Sequence, residues 1–429
     1  MSRRLQAAAE TLRANFFFLP AVAVVAAFVA ARIAVGVEAG TWVGESTVDN
    51  ARAVLSTVAA ATITFASISF SVSLLIMQLG SQQFSPRVIH GLTRDPFHRR
   101  VIAVVLATFT FCLVTLQRVR GPLSDGGNEV VPDFSVAVGL LLGLLAVLAI
   151  VAAIHHTSQQ MDVSVILGRI VDEAVRTSSA SHAGPSALST REAPTLPDHP
   201  APTVIRFAAD GWVRQVDRVA LLALGEPGGV VELDTDTGRY VIAGTALCRV
   251  SPPVGRDRLD GAARAARAAV RLGPTRTMGE DSGYGVRQLV DVALRALSPG
   301  VNDPTTAQDA IFHLGTVLAA RFTAPAIPTA HRDDEGRHLL APHSMTDVDL
   351  AELAVSELRA AAADQPMVCI YLLEMIAGVI DAAGASGDAH RARPLLAQAH
   401  LVLEHVDAAD IVEPDRHRVR HAHAKLFGA

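Results

Sequence analysis

The sequence predicts a membrane α-helical protein. It reads as four transmembrane helices followed by a cytoplasmic α+β region, a small β module and then a helical domain. Three observations carry that reading. Four long apolar stretches occupy the first 156 residues, roughly Asn15–Val37, Val54–Leu79, Val101–Gln117 and Phe134–His156. Each is about long enough to cross a ~30 Å hydrocarbon core as a helix. Short β-like runs separated by Gly and Asp turns fill Thr203–Ser251, and amphipathic helical spacing dominates from Asp257 onward.

Met1–Asn15 carries Arg3, Arg4 and Arg13 ahead of the first apolar run. A secretory signal begins in the same way, but this run is too long and no small-x-small cleavage site closes it. A retained membrane helix is expected. Arg32 is the strongly charged interruption in the four stretches, placed near one end where a long side chain reaches the interface.

Loop charge sets the expected orientation. The first loop is acidic through Glu38, Glu45 and Asp49, against Arg52. The second, Gly80–Arg100, carries Arg87, Arg94, Arg99 and Arg100. The third is nearly neutral, with Arg118 and Arg120 set against Asp125, Glu129 and Asp133. Both termini and the second loop are therefore expected in the cytoplasm, with the chain in the inner membrane of a bacterial cell. Lys425 is the only lysine, and the abundance of Arg and Ala fits a GC-rich bacterial genome. Cys112, Cys248 and Cys369 are far apart and form no paired motif, which fits a reducing compartment. A formal net charge of -5, with no basic stripe interleaved with aromatics, gives no case for nucleic acid.

Val163, Ile166, Ile170, Val171 and Val175 continue helical periodicity past the fourth span, so residues 1–176 form the membrane domain with a cytoplasmic extension. Residues 177–202 are rich in Ser, Ala, Pro and His and are expected as a flexible linker. Residues 203–255 form the β module, with strands over Val204–Phe207, Val230–Leu233, Arg239–Ile242 and Ala246–Val250. Asp217–Leu224 reads as a short helix between them. Gly238–Leu247 resembles half of a biotinyl/lipoyl-type barrel, but no lysine occurs at its turns to carry such a group. Residues 256–429 form the helical domain. Its helices are expected over Leu259–Leu272, Tyr284–Leu297, Thr305–Arg321, Asp347–Ala363, Met367–Ala383, Ala389–Ala408 and Asp415–Phe427, with Thr323–Ser344 as a loop.

The second span is studded with hydroxyls. On a helical wheel Thr57, Ala60, Thr64, Ser67, Ser71 and Gln78 fall on one narrow arc. Ala59, Thr62, Ala66, Ser69 and Ser73 form a second stripe nearly opposite. Two readings stand. Small residues let helices approach and hydroxyls back-bond to carbonyls one turn earlier. Alternatively, one stripe packs while the other faces water or a second subunit, making Thr57, Thr64, Ser67, Ser71 and Gln78 pore-lining candidates. No Asp, Glu or Lys lies deep in a span, which disfavours a proton-coupled pump and leaves a passive pore open.

Elsewhere, His155 and His156 close the fourth span, pointing about 100° apart, which suits no shared metal. His417 and His421 have i,i+4 spacing, yet Arg416, Arg418 and Arg420 would repel a cation. No metal and no cofactor is expected. The densest polar signal runs from Arg276 to Asp309. Gly300 permits a turn, Asn302 or Asp303 caps the next helix and Pro304 suits its first turn. Arg276, Arg287, Arg295, Asn302 and Asp303 are the ligand-binding candidates, for a small anionic ligand near that helix N-terminus. Arg276, Arg295, Asn302 and Asp303 are expected to cluster across the turn joining Tyr284–Leu297 to Thr305–Arg321.

Phe84-Ser85-Pro86-Arg87, His155-His156 and the segment Ala296–Ala307 are similar to the signatures of a bacterial family of predicted membrane proteins, domain of unknown function 2254. Ser298-Pro299-Gly300-Val301-Asn302-Asp303-Pro304 is the most specific piece. Thr305-Thr306 departs from it, standing where a bulkier, often aromatic residue is expected. The resemblance implies a four-span N-terminal part with a cytoplasmic domain, and no established reaction or substrate.

The sequence holds no nucleophile elbow, phosphate loop or HExxH helix, so no enzyme activity is expected. The expected function is a homo-oligomeric channel or passive transporter gated by its cytoplasmic domain, with the lipid bilayer and further copies of itself as partners. The alternative is a non-conducting, membrane-anchored sensor or scaffold.

Overall fold

In a computed structural model, residues 18–37, 47–83, 96–120, 131–160, 162–180, 186–187 and 202–428 are described. The start of the first expected span, Asn15–Phe17, the Phe84–Arg87 segment and most of the 177–202 linker lie outside them. The chain divides into two compact units, Met1–Val165 and Ile166–Ala429.

The first unit holds helices α1 (Phe18–Val37), α2 (Val48–Gln83), α3 (Pro96–Leu116) and α4 (Asp133–Gln160). Three of them contain windows long and apolar enough to cross a membrane: Val48–Val72, Arg99–Leu116 and Asp133–His156. In α1 the apolar helix is the shorter Leu19–Ala34. α3 packs against the other three helices, so the apolar core forms around it. One layer joins Ala51, Leu55 and Ala59 of α2 to Cys112 and Val136. Another joins Val101 and Val105 to Ala146, Ile150 and Ala153.

Close approach of α2 and α4 depends on two glycines. A Cβ on Gly143 would stand 2.7 Å from a Val58 methyl, and one on Gly139 would stand 2.9 Å from a Leu55 methyl. Their i,i+4 spacing puts both on one face, the arrangement that lets membrane helices pack backbone to backbone. Thr108 of α3 adds a polar tie to α4, its hydroxyl donating to Val104 O at 2.9 Å and reaching Leu142 O at 3.4 Å.

The second unit begins with α5 (Val163–Ala180), whose Ile166–Ala180 part falls in it and whose Leu167 and Ala174 are buried. Its strands are β1 (Ser186–Ala187), β2 (Thr203–Arg206), β3 (Gly211–Val216), β4 (Val230–Leu233), β5 (Tyr240–Val241), β6 (Ala246–Ser251), β7 (Val270–Gly273), β8 (Ala330–Arg332) and β9 (His338–Leu340). The short α6 (Arg218–Leu222) and α7 (Leu259–Ala269) lie between them. One sheet runs β1-β8-β9-β4-β6-β2, and a second runs β5-β3-β7.

Several expectations are corrected here. The module does not end at residue 255: β8 and β9 come from the stretch expected as a loop, and β9 pairs parallel with β4. His331 and Leu339 face each other across β8 and β9 and both are buried, an apolar contribution that the charged Asp333–Arg337 turn between them obscures in sequence. β1 lies within the expected linker and pairs with β8. The helix expected over Leu259–Leu272 stops at Ala269, because Val270–Gly273 pairs with β3 instead. The half-barrel likeness also dissolves, since β5 and β6 belong to different sheets. Leu221, Leu222, Val231, Leu247 and Leu339 share one core with Ala266 and Ala269 of α7.

The rest is a helical bundle: α8 (Ser282–Ala296), α9 (Pro304–Thr323), α10 (Asp347–Ala361), α11 (Pro366–Ala385), α12 (Arg393–Ala408) and α13 (Glu413–Phe427), with a 3-10 turn at Ala389–Ala392. By length and composition α11 also qualifies as a membrane span. Its setting accounts for that composition: it packs against α9, α12 and α13, and Leu372, Leu373 and Ile376 are fully buried. A central helix is apolar on most of its circumference. Two buried arginines hold the bundle's edge. Arg391 makes a bidentate pair with Asp347 at 2.8 and 2.9 Å and donates to the last carbonyls of α9, while Arg321 lies 3.5 Å from the same carboxylate.

Candidate functional site

α2 presents two unlike faces. Ala51, Leu55, Ala59 and Thr62 are buried against the other helices, and the Thr62 hydroxyl returns to Val58 O and Ala59 O at 2.9 Å. Thr57, Ala60, Thr64, Ser67, Ser71 and Gln78 are all exposed on the other side. One stripe therefore packs and the other looks outward. The outward faces of the unit differ in chemistry. α4 exposes Leu140, Leu141, Leu144, Leu148, Val151 and Ile154, a surface of hydrocarbon. From Thr57 to Ser71 the α2 row bears hydroxyls and small groups, flanked by exposed Ile63 and Phe70 on one side and Ile68 on the other, and exposed Leu75 interrupts it before Gln78. Thr64 satisfies its own donor at Ala60 O, 2.8 Å away.

The arginine region resolves into two separate places. Arg276 makes a bidentate pair with Asp281, at 2.5 and 3.1 Å, and its guanidinium lies 5.2 Å from the Tyr284 ring and 5.9 Å from Trp212. Asp281 occupies the N-cap position of α8. Gly238, at φ +80°, lets the β-module turn approach this pair, and a Cβ there would collide with the Asp281 carboxylate. Next to it, buried Asp236 accepts from Arg218 at 3.2 Å, from the Thr237 amide at 2.8 Å and from the Ser344 hydroxyl.

The second place is the α8–α9 turn. Asp303 caps α9, accepting from the amides of Thr305 and Thr306 at 3.2 and 3.0 Å and from the Thr306 hydroxyl at 2.6 Å. The Thr306 hydroxyl and then the two amides hold the Asp303 carboxyl below the usual carboxylate range. Asn302 adopts the left-handed region at φ 48°, which asparagine tolerates, and the Asp303 amide donates to Ala296 O at 2.8 Å. Arg295 is exposed in the last turn of α8.

The expected convergence of Arg276 with Asp303 is thereby corrected. Asp281 begins α8 and Ala296 ends it, so the fifteen-residue helix separates the two places by about 22 Å. The chain reversal brings the end of α8 to the start of α9, as expected, but Arg276 stays at the far end. Arg287 is committed elsewhere, pairing with Asp291 at 2.7 Å and with Glu357 of α10. Glu357 foremost holds its guanidinium firmly charged. A free anion at the start of α9 would compete with the Asp303 carboxylate already there.

The family model described as predicted membrane protein (DUF2254) matches residues 13–378, from the first apolar helix into α11. The chain belongs to this family. Curated relatives are uncharacterised proteins of Mycobacterium tuberculosis and Mycobacterium bovis, 31% identical over 353 residues. The alignment covers 78% of this chain and 64% of each relative, so the chain spans just under two thirds of their length. No solved structure matches it.

For a DUF2254 protein, then, the fold carries a membrane-helical unit and a mixed helical and small-sheet unit. Sequence reasoning passed over two features. Gly139-Leu-Leu-Leu-Gly143 was legible as a small-xxx-small spacing in the fourth span. Trp212 and Tyr284, which flank Arg276, come from separate elements that only folding brings together.

Proposed function

We propose that the protein is a homo-oligomeric channel or passive transporter of the bacterial inner membrane. In this reading the outward row of α2 from Thr57 to Gln78 lines a path between copies, and the second unit lies in the cytoplasm and gates it. The observation that carries the reading is the contrast between the two outward faces. A lipid-facing helix has no use for a hydroxyl row, and α4 shows what such a face is made of. Back-bonding satisfies Thr64 but does not account for the lack of large apolar side chains along the row from Thr57 to Ser71.

A ring of copies would turn these rows toward one axis, where water solvates the hydroxyls. Gating requires a ligand or partner that binds the second unit with different affinity in two states. A small anionic ligand at the second unit would be one such effector, and Arg276 is already held by Asp281. No catalytic step is assigned to any residue.

Two measurements test the proposal together. Mass determination in mild detergent should give an oligomer, and ion or solute flux in proteoliposomes should change several-fold on Thr64→Leu or Ser71→Leu. A strictly monomeric protein, or vesicles equally tight with and without it, overturns the reading.

A further inference from the structure

The turn that follows β5 in the second unit has a surface that the proposed pore does not use. Tyr240 and Ile242 are 55% and 60% exposed although both are large and apolar, and Ala243 and Gly244 beside them are exposed as well. This tip is rigid. The Ala243 amide donates to the Asp210 carboxylate at 2.5 Å, and Gly244 N donates to Phe207 O at 2.9 Å. The Thr245 hydroxyl donates to Ile242 O at 2.7 Å, and Gly244 takes φ +86°, closing the turn without strain. The Tyr240 ring stands edge-on to Trp212, with centroids 5.4 Å apart, so its direction is fixed too.

Cations surround the tip. Arg206 donates to Gly244 O at 2.9 Å, and Arg267 of α7 donates to Arg206 O at 2.9 Å. Among the described residues neither has a carboxylate partner. Arg239, exposed, precedes Tyr240 directly. The one carboxylate of the tip, Asp210, is exposed and accepts from the Ala243 amide. Elsewhere in this unit the arginines Arg218, Arg249, Arg276, Arg287 and Arg391 are met by acids. The tip thus combines two fixed apolar side chains with three arginines against the single carboxylate of Asp210, a net positive patch.

We propose that this tip docks on an anionic lipid surface, with Tyr240 and Ile242 entering the headgroup layer and Arg206, Arg239 and Arg267 facing lipid phosphates. Charge complementarity selects that partner. An amphipathic aromatic and a branched aliphatic suit the boundary between headgroups and chains, and arginine forks match phosphate oxygens. Each arginine near such a surface strengthens attachment about five-fold. The tip would then hold the second unit against its own membrane in proportion to the anionic lipid present.

The test uses the full chain in vesicles. Ile242→Cys is labelled with an environment-sensitive thiol dye. Cys248 and Cys369 are buried, with burial pushing their thiols up to about 12, so they compete poorly for it. Ala385→Cys, exposed at the end of α11, serves as the control position. Vesicles contain a lipid-attached quencher in either pure phosphatidylcholine or a mixture with 30% or so phosphatidylglycerol, a fraction that gives a surface potential of tens of millivolts. The proposal expects quenching at 242 that rises several-fold with the anionic lipid, while the control stays dark to the quencher. Arg206→Gln with Arg267→Gln should remove most of that rise. Because those variants perturb two backbone contacts, unmodified arginines are also tested at roughly 0.5 M salt, which screens the attraction and should reverse the quenching. Quenching that is absent, equal in the two lipids or indifferent to salt overturns the proposal. Cross-linking of the labelled position to a second copy of the chain, without lipid quenching, would do so as well. None of these readouts depends on conduction, so failure here is distinct from failure of the channel reading.

Discussion

At Asp303 one carboxylate accepts from two amides and a hydroxyl, all within the first turn of α9. Asp303→Ala should cost about 0.5–2 kcal/mol, read as a lower unfolding midpoint in denaturant, while Thr306→Val removes the hydroxyl's share alone. Because the folded carboxyl titrates below its unfolded value, its contribution is complete above about pH 4 and is lost as pH falls through the folded value. A cap whose removal left the midpoint unmoved would contradict this. Gly238 permits the opposite experiment. At φ +80° any side chain is strained by about 1–2 kcal/mol before it meets the Asp281 carboxylate. Gly238→Val should loosen the Arg276–Asp281 pair and red-shift Trp212 emission, whereas Gly244→Val, with open space around it, should cost the strain alone. At this scale the cap was legible in the Asn-Asp-Pro-Thr-Thr string, because capping is local. The partner of Arg276 was not, because Asp281, Asp291 and Asp303 are all near in sequence and only helix length decides among them.

Among elements, the α2–α4 contact rests on two missing side chains. Gly143→Leu should overpack Val58 and destabilise the helix pair by about 1–3 kcal/mol, measured as a lower melting temperature in detergent, while Gly168→Leu, facing open space, should not. A pH response belongs to α12 and α13. The His400 and His423 rings lie 5.3 Å apart across that interface, and His423 also meets Phe427 of its own helix. Burial first, and then the His400 charge, hold His423 below the ordinary histidine range. The fold therefore prefers the neutral ring. Its contribution is present above about pH 6.5 and declines as pH falls toward the folded value. Hydrogen-exchange protection factors in α13, corrected for the intrinsic pH dependence of exchange, should fall as pH drops below about 6.5, and His423→Phe should remove that fall. Element positions were largely readable from periodicity, since α8 to α13 each carry an apolar stripe. The strands β3, β7, β8 and β9 were not, because each is short and takes its partner from a distant stretch. α11 shows the converse error that composition invites: a helix apolar enough to span a bilayer instead packs among α9, α12 and α13.

In the whole molecule, the channel proposed above would have the exposed hydroxyl row of α2 facing water between copies and the exposed row of α4 facing lipid. The wheel made the two stripes of α2 legible in sequence. Which stripe packs was decided only by the burial of Ala51, Leu55 and Ala59 beside it. Water access separates the two rows most directly. Thr64→Cys and Leu144→Cys place a thiol near mid-span on α2 and α4, at positions that are both exposed in a single copy. Each would be exposed in intact membranes to a water-soluble, membrane-impermeant thiol reagent, and the rate of modification measured. Modification at position 64 should be at least about ten-fold faster than at 144, since a thiol in hydrocarbon does not ionise. Equal inertness at the two positions would contradict it.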